Sequence, residues 1–478
     1  MAQALTVLTA PIFYRILPPE SFGTAAIFVS ITTILSVVAC LRYEFAILLP
    51  STEDEAANVF AVSIGAVFLV TVLTLSAIVL FGDEILNWIK APQLSPYLWL
   101  IPLTVLFNGI TNGLNYWISR TKQFGKLSFA RVLGAITIIL FQSLMVIHGE
   151  RHAGVIILST VAGSLLMVAF LMINVWSVNR NLLISSIRLR KMRESLYRYR
   201  KFPLIDSLGG FANNISWQLP PLLLSRYFNP AIVGQYSLAY RLIHLPMSLI
   251  GNSIAQVFFQ KISSVRTDPE QVQRIVKSVF EKLVMIGLLP AILLSLVGEE
   301  LFVLIFGENW TLAGQFVQIL GLWLFFWFIS SPLSTIFVIY EKQERILLIH
   351  LAILATRVVS LVVGGLIGDA LLAIGLFSIS GVLVYGSLSI WNMLIAGVSL
   401  RESLTVILRF TLKSIPGALL LFLLSNVFHL NAYVLVAIAG IILIFYYSLY
   451  IIGDHDLQVY RISVLTFRES SSKDKRGQ

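Results

Sequence analysis

Residues 58–81 read NVFAVSIGAVFLVTVLTLSAIVLF, a run of 24 residues without a charged side chain. A helix of about 20 apolar residues rises about 1.5 Å per residue and so crosses about 30 Å of hydrocarbon. Similar runs recur along the whole chain of 478 residues, which is 57% hydrophobic and 12% charged. Soluble domains carry roughly 25% charged residues. The sequence therefore predicts a protein that lies mostly within a lipid bilayer.

Fourteen such runs predict an all-α integral membrane protein of about fourteen transmembrane helices. Helices are expected because the backbone N–H and C=O groups at an open sheet edge find no hydrogen-bond partner in hydrocarbon. The alternation of apolar and polar residues that is typical of barrel strands is also absent from these runs. The first run has no basic flank or small-residue cleavage site of a signal peptide, which favours a membrane helix. The predicted spans are 2–17, 22–41, 58–81, 97–118, 128–148, 154–176, 203–225, 235–257, 278–297, 315–340, 346–367, 371–396, 414–430 and 433–452.

The Lys and Arg residues predict the orientation of these helices. Of the 34, 26 lie in alternate connections and the C-terminal tail, two lie in the opposite connections, and six lie within spans. Cytoplasmic loops of membrane proteins carry the excess of basic residues. Both termini are therefore predicted to be cytoplasmic, and the connections that hold Lys90 and Arg151 to face outward.

Charged segments flank two of the spans. The stretch 180–201 holds eight basic residues, which we interpret as a topology signal and a contact with anionic membrane lipids rather than a nucleic-acid site. Glu53, Asp54 and Glu55 follow Ser51 and Thr52 just before the third span. A hydroxyl N-cap followed by carboxylates is typical of a helix start.

The chain also contains an internal repeat. Arg15, Pro19 and Gly23 have the same spacing as Arg226, Pro230 and Gly234, which lie 211 residues later. The repeat unit is six spans, and an even number gives both halves the same orientation about an axis along the membrane normal. The predicted domains are an N-lobe 1–176, a basic cytoplasmic linker 177–202, a C-lobe 203–396, helices 13 and 14 over 397–452, and a cytoplasmic tail 453–478.

Four segments of the sequence resemble the Wzx-type polysaccharide or O-antigen flippases. These segments are 11–23 (PIFYRILPPESFG), 41–50 (LRYEFAILLP), 306–310 (FGENW), and Pro246 with 257–259 (VFF). The family shares a superfamily with drug/cation antiporters and lipid II flippases. The resemblance implies two six-helix lobes in the bacterial cytoplasmic membrane. It also implies transport of an undecaprenyl-pyrophosphate-linked oligosaccharide to the outer leaflet, together with other polysaccharide-assembly proteins.

Ionisable groups at membrane depth are costly and therefore functional candidates. By the predicted spans, Arg357 lies about 16 Å from the inner end of its helix and Arg241 about 9 Å from the outer end. Guanidinium groups donate paired hydrogen bonds to phosphate, so a cationic cleft for a pyrophosphate is expected. The alternative for each residue is an ion pair between helices. The cationic candidates are Arg357, Arg241, Arg15, Arg226, Arg131 and Lys282.

Uncharged polar side chains provide a second group of candidates. Asn213, Gln218, Asn252 and Gln256 are expected either to bind sugar hydroxyls or to link helices by hydrogen bonds. Asp206 and Glu281 are hypothesised to couple transport to a proton or sodium ion.

Two other functions were weighed against transport of a lipid-linked glycan. A drug/cation antiporter would need buried carboxylates in the N-lobe, and the first six spans hold none at depth. A polymerase, ligase or acyltransferase would need a large outward loop or a catalytic grouping, and neither is evident in the sequence. No enzyme activity, cofactor or metal site is expected.

Overall fold

The structure is a computed structural model that describes residues 2–428 and 430–453, without the side chains of 205, 206, 208, 209, 212, 343 and 451–453. Over this range the chain forms fourteen long helices and no strand. They are α1 (Ala2–Ile16), α2 (Pro19–Val37), α3 (Glu53–Ile89), α4 (Leu100–Arg120), α5 (Phe124–Ile147), α6 (Ala153–Ser186), α7 (Ser207–Tyr227), α8 (Pro230–Val265), α9 (Pro269–Phe306), α10 (Glu308–Ile339), α11 (Gln343–Ile367), α12 (Ala370–Ile395), α13 (Leu400–Asn426) and α14 (Ala432–Gly453).

Eleven of the helices in the described part of the chain are long and apolar enough to cross a membrane. The other three are α1, which has only 15 residues, and α4 and α7, which carry several amide side chains. The all-α membrane fold predicted from the sequence is confirmed. The predicted tail beyond Gly453 lies outside the described residues.

The two halves pack their helices in the same way. In the first half α1 packs on α5, α2 on α4, α3 on α4, and α6 on both α4 and α5. In the second half α7 packs on α11, α8 on α10, α9 on α10, and α12 on both α10 and α11. Each half is thus a six-helix lobe, and α13 and α14 pack against α9.

The helices differ from the predicted spans mainly in length. α3 has 37 residues and α9 has 38, so both continue beyond the apolar run that predicted them. Polar residues at helix ends are compatible with a helix outside the hydrocarbon, and hydropathy alone therefore does not mark where the helix stops. The extra turns of α3 carry the acidic residues, and the side chain of Thr52 accepts a hydrogen bond from the Glu55 N–H, as predicted for an N-cap.

The basic linker forms a short amphipathic helix, Leu189–Arg198, which was not predicted. Arg198 is 2.6 Å from Glu55 and Lys191 is 3.6 Å from Asp54, at the start of α3. The acidic residues therefore both begin α3 and hold the linker helix against the N-lobe.

The lobes meet closely at the ends of the helices that are predicted to face outward. α2 packs on α7 and α8, and the backbones of Gly23 and Gly234 are in direct contact. The Trp310 indole of the C-lobe donates a 2.7 Å hydrogen bond to the Tyr14 carbonyl of the N-lobe. Tyr14 also stacks on Phe22 with ring centroids 3.9 Å apart. We call this set of contacts the outer interface.

Candidate substrate-binding cavity

A cavity of about 720 Å³ lies between α1 of the N-lobe and α7 and α8 of the C-lobe. Sites for small molecules and cofactors are typically about 300–1,000 Å³. We call this space the central cavity. It is lined by Gln3, Thr6, Val7, Asn214, Trp217, Gln218, Tyr240, Arg241, His244, Leu245 and Ser248.

Arg241 is the charged residue among those that line the central cavity. α8 begins at Pro230, five residues before the predicted span, so Arg241 lies about 16 Å from the outer end of its helix rather than about 9 Å. Its guanidinium lies beside the Tyr14 hydroxyl of α1. Among the described residues no carboxylate is within ion-pairing distance of Arg241. The cavity therefore carries a positive charge about three turns into α8.

Polar contacts hold the walls of the central cavity together. The Gln218 side chain on α7 accepts a 3.2 Å hydrogen bond from Ser30 on α2. Gln3 at the start of α1 donates a 3.2 Å hydrogen bond to Ser248 on α8. α1 and α7 are two of the three long helices in the described chain that are too short or too polar to be identified as membrane spans. Both line this cavity. A helix that faces a cavity rather than lipid does not need an apolar surface on every side.

A second cavity, of about 440 Å³, lies within the C-lobe between α7, α10, α11 and α12. Asn213, Trp217, Trp327 and His350 are among its lining residues. Trp217 also lines the central cavity, so its ring forms part of the wall between the two spaces. We call this second space the C-lobe cavity.

Arg357 lies in the packed interior of the C-lobe and is only 4% exposed. Its Nη1 donates a 2.9 Å hydrogen bond to the Ser216 carbonyl, and its guanidinium lies 4.0 Å from the centroid of the Trp217 ring. It is not among the residues that line the central cavity. The arginine that the sequence placed deepest in the membrane is thus held by α7 rather than presented to an open space.

Arg15 and Arg226 match each other in the repeat but have different environments. Arg15 donates to the carbonyls of Leu304 and Ile305, which are the last-turn carbonyls of α9 in the opposite lobe. Cations at a helix C-terminus satisfy free carbonyls and complement the helix dipole. Arg226 lies at the outer end of α7, with its guanidinium 6.0 Å from the Tyr227 ring centroid. Both therefore lie at helix ends that are predicted to face outward, and neither lines the central cavity.

The remaining predicted site residues are dispersed. Arg131 is exposed on α5 and Lys282 is half-buried on α9, and neither has a hydrogen bond or ion pair with another described residue. Asn252 and Gln256 are exposed on α8, outside the central cavity. Glu281 forms an ion pair with Arg409 of α13. The side chain of Asp206 lies outside the described part of the structure.

Several cavity residues were missed by reasoning from the sequence. Trp217 and Tyr240 both line the central cavity, but in the sequence an aromatic residue of a cavity wall is indistinguishable from one that packs between helices. Gln3 and Thr6 lie one turn apart on the first helix, and this polar face was the available signal. Tyr14 and Trp310 lie in segments that resemble the flippase family, but their mutual contact depends on how the lobes meet.

Comparison with known proteins gives one family and two sequence relatives. A family model described as polysaccharide biosynthesis protein matches residues 12–315. An uncharacterized membrane protein in the cps region of Klebsiella pneumoniae is 25% identical over 348 residues, which cover 71% of this chain and 68% of the relative. The succinoglycan biosynthesis transport protein ExoT of Rhizobium meliloti (strain 1021) is 24% identical over 355 residues, which cover 71% of this chain and 65% of the relative.

Two solved structures share the fold. The lipid II flippase MurJ in its inward closed conformation superposes with a TM-score of 0.72 at 13% identity, over 95% of this chain and 98% of that one. An inward-facing multidrug resistance transporter of the MATE family superposes with a TM-score of 0.68 at 15% identity, over 83% and 94%. At these identities the likeness concerns the arrangement of the helices.

Proposed function

The chain belongs to the family of polysaccharide biosynthesis proteins, and from this premise we propose that it is a flippase for a lipid-linked oligosaccharide. The proposed cargo is a surface-polysaccharide repeat unit on undecaprenyl pyrophosphate, which moves from the cytoplasmic to the outer leaflet of the bacterial cytoplasmic membrane. The relative from Rhizobium meliloti is named as a transport protein of succinoglycan biosynthesis, which supports a role in export.

The observation that carries this proposal is Arg241 in the central cavity. A guanidinium within a helix bundle that has no carboxylate partner among the described residues attracts an anionic group, and it offers paired donors to phosphate oxygens. In this proposal the pyrophosphate binds beside Arg241, while Asn214 and Gln218 donate to sugar hydroxyls. The polyprenyl chain remains in the lipid.

We further propose that the two lobes alternate between inward and outward access. The outer interface is made by backbone contacts, the Trp310 hydrogen bond and the Tyr14–Phe22 stack, while the central cavity lies deeper, beside the first turns of α1. Rocking of the lobes would separate the outer interface and open the cavity to the outside. Parallel repeats about an axis along the membrane normal suit such a movement.

The charge of the cavity disfavours export of a cationic drug. Among the described lining residues there is an arginine and no carboxylate. Glu44 of the N-lobe is buried, but it lies 3.9 Å from Arg42 and is not one of the cavity residues. An antiporter for cations would require a carboxylate that its cargo can reach.

Replacement of Arg241 tests the proposal. In a strain whose surface polysaccharide depends on this protein, Arg241→Gln should lower export by about tenfold or more, because a charge-assisted contact with phosphate is lost. Arg241→Lys should retain part of the activity. Arg151→Gln is the matched control, since this exposed residue lies in a connection predicted to face outward. Normal export by Arg241→Gln at normal protein level would refute the assignment of the cavity.

A further inference from the structure

α7 contains two consecutive prolines, Pro220 and Pro221, inside a continuous helix. In an α-helix the N–H of residue i+4 donates to the carbonyl of residue i, and proline has no N–H. The carbonyls of Ser216 and Trp217 therefore have no donor at i+4. Because Pro221 is also the fifth residue after Ser216, a π-type hydrogen bond to that carbonyl is excluded as well.

Arg357 supplies the missing donor to Ser216. Its Nη1 is 2.9 Å from the Ser216 carbonyl oxygen and 3.2 Å from the Ser216 hydroxyl, and both interactions are buried. Arg357 belongs to α11, the helix that packs along α7. An unpaired carbonyl at membrane depth is costly, and this bond removes that cost.

The rest of the guanidinium is also engaged by the C-lobe. Its Nη2 lies 3.4 Å from the Tyr385 hydroxyl of α12, and its Cζ lies over the Trp217 ring, 4.0 Å from the centroid. Among the described residues no carboxylate pairs with Arg357. The carbonyl, the hydroxyl and the aromatic face therefore together compensate the buried charge.

We infer that Arg357 is a positioning residue, which caps the carbonyl left free by Pro220 and thereby fixes α7 and the Trp217 ring between the two cavities. Arg357 acts through α7 and does not touch the cargo. Arg241 and Arg357 thus have different tasks, although both are arginines within spans. The export measurement that tests this inference rests on the proposed function, whereas the measurement of protein stability does not.

The test is a double-mutant cycle in which Pro220→Ala restores a backbone N–H at residue 220. Arg357→Met should lower export and the folded fraction by about tenfold, because the Ser216 carbonyl loses its partner. Pro220→Ala alone should be close to wild type. The double variant Pro220→Ala/Arg357→Met should recover most of both losses, because the restored N–H of residue 220 donates to Ser216.

Two further variants make the test specific. Pro416 also lies inside a helix, α13, where no hydrogen bond joins it to Arg357, so Pro416→Ala/Arg357→Met should show no recovery. Arg357→Lys keeps the charge but not the planar fork. Its export and its folded fraction should therefore lie between those of the wild type and those of Arg357→Met. If Arg357→Met does not accumulate in the membrane, the amount of Pro220→Ala/Arg357→Met protein is compared with that of Arg357→Met instead.

The outcomes separate this inference from the proposed function. Failure of Pro220→Ala to improve either the folded fraction or export of Arg357→Met would overturn the positioning role. Normal export by Arg241→Gln together with recovery of thermal stability in the double variant would refute the role of Arg241 in cargo binding and leave the role of Arg357 intact.

Discussion

Gly23 and Gly234 contact each other backbone to backbone where α2 and α8 begin. A Cβ atom on Gly23 would lie 1.7 Å from the Pro230 carbonyl oxygen, and one on Gly234 would lie 2.0 Å from the Pro19 carbonyl oxygen. Each glycine ends one copy of the repeated Arg-x-x-x-Pro-x-x-x-Gly pattern. The reciprocal contact places the local two-fold axis of the repeat at the outer interface.

Gly23→Val should force the outer interface apart. A side chain cannot be placed against a backbone carbonyl at 1.7 Å, and overpacking of this kind costs about 1–3 kcal/mol. We expect faster labelling of Thr24→Cys by a maleimide reagent that does not cross membranes, in a Cys40→Ala background. Gly65→Val is the matched control, because a Cβ atom there has no neighbour within 4 Å. Equal labelling rates in the two glycine variants would contradict the close contact.

Arg15→Gln should lower the thermal stability of the purified protein. The change removes the donors to the carbonyls of Leu304 and Ile305, and a charge-assisted hydrogen bond of this kind contributes about 1–2 kcal/mol. Arg226→Gln is the comparison, since Arg226 matches Arg15 in the repeat but, within the described part of the chain, contacts the Tyr227 ring instead of helix-end carbonyls. The midpoint of thermal unfolding in detergent measures both. A larger loss of thermal stability in Arg226→Gln than in Arg15→Gln would show that the capping of α9 by Arg15 contributes little to stability.

Glu281 and Arg409 should behave as a structural ion pair that joins α9 to α13. Their side chains are 38% and 47% exposed, so solvent screening limits the expected coupling to at most about 1 kcal/mol. If the pair is only structural, Glu281→Gln, Arg409→Gln and the double variant should show similar, small losses of thermal stability and should retain export. Loss of export in Glu281→Gln that Arg409→Gln does not share would instead favour the ion-coupling hypothesis.

Release of the linker helix should follow removal of Glu55. Glu55 accepts hydrogen bonds from Arg198 at 2.6 Å and from the Tyr199 hydroxyl at 3.0 Å. We expect Glu55→Gln to speed tryptic cleavage at the basic residues of the linker by a few-fold, since exposed pairs contribute about 0.2–1 kcal/mol. Glu194→Gln is the control, because Glu194 pairs with Arg190 within the same helix. Equal cleavage rates would show that the linker is held by other contacts.

Much of the fold was predictable because the bilayer restricts what a chain can do. The length of the apolar runs predicted the all-α membrane fold, in which eleven helices of the described chain are long and apolar enough to cross a membrane, and the spacing from Arg15 to Gly23 predicted the repeat. The linker helix was missed because four of its ten residues are basic and its stability depends on contacts with Asp54 and Glu55. Hydropathy contains no signal for a helix that lies outside the hydrocarbon.

The sequence by itself determined the class of fold and the presence of arginines within the predicted spans, because hydrocarbon demands long apolar helices with internal hydrogen bonds. It did not determine which arginine faces a cavity. Arg241 lines open space and Arg357 caps Ser216, a residue 141 positions away in the chain. Only the tertiary structure decided this difference, because the partner of a side chain depends on the rotation of its helix and on the free carbonyls that neighbouring helices present.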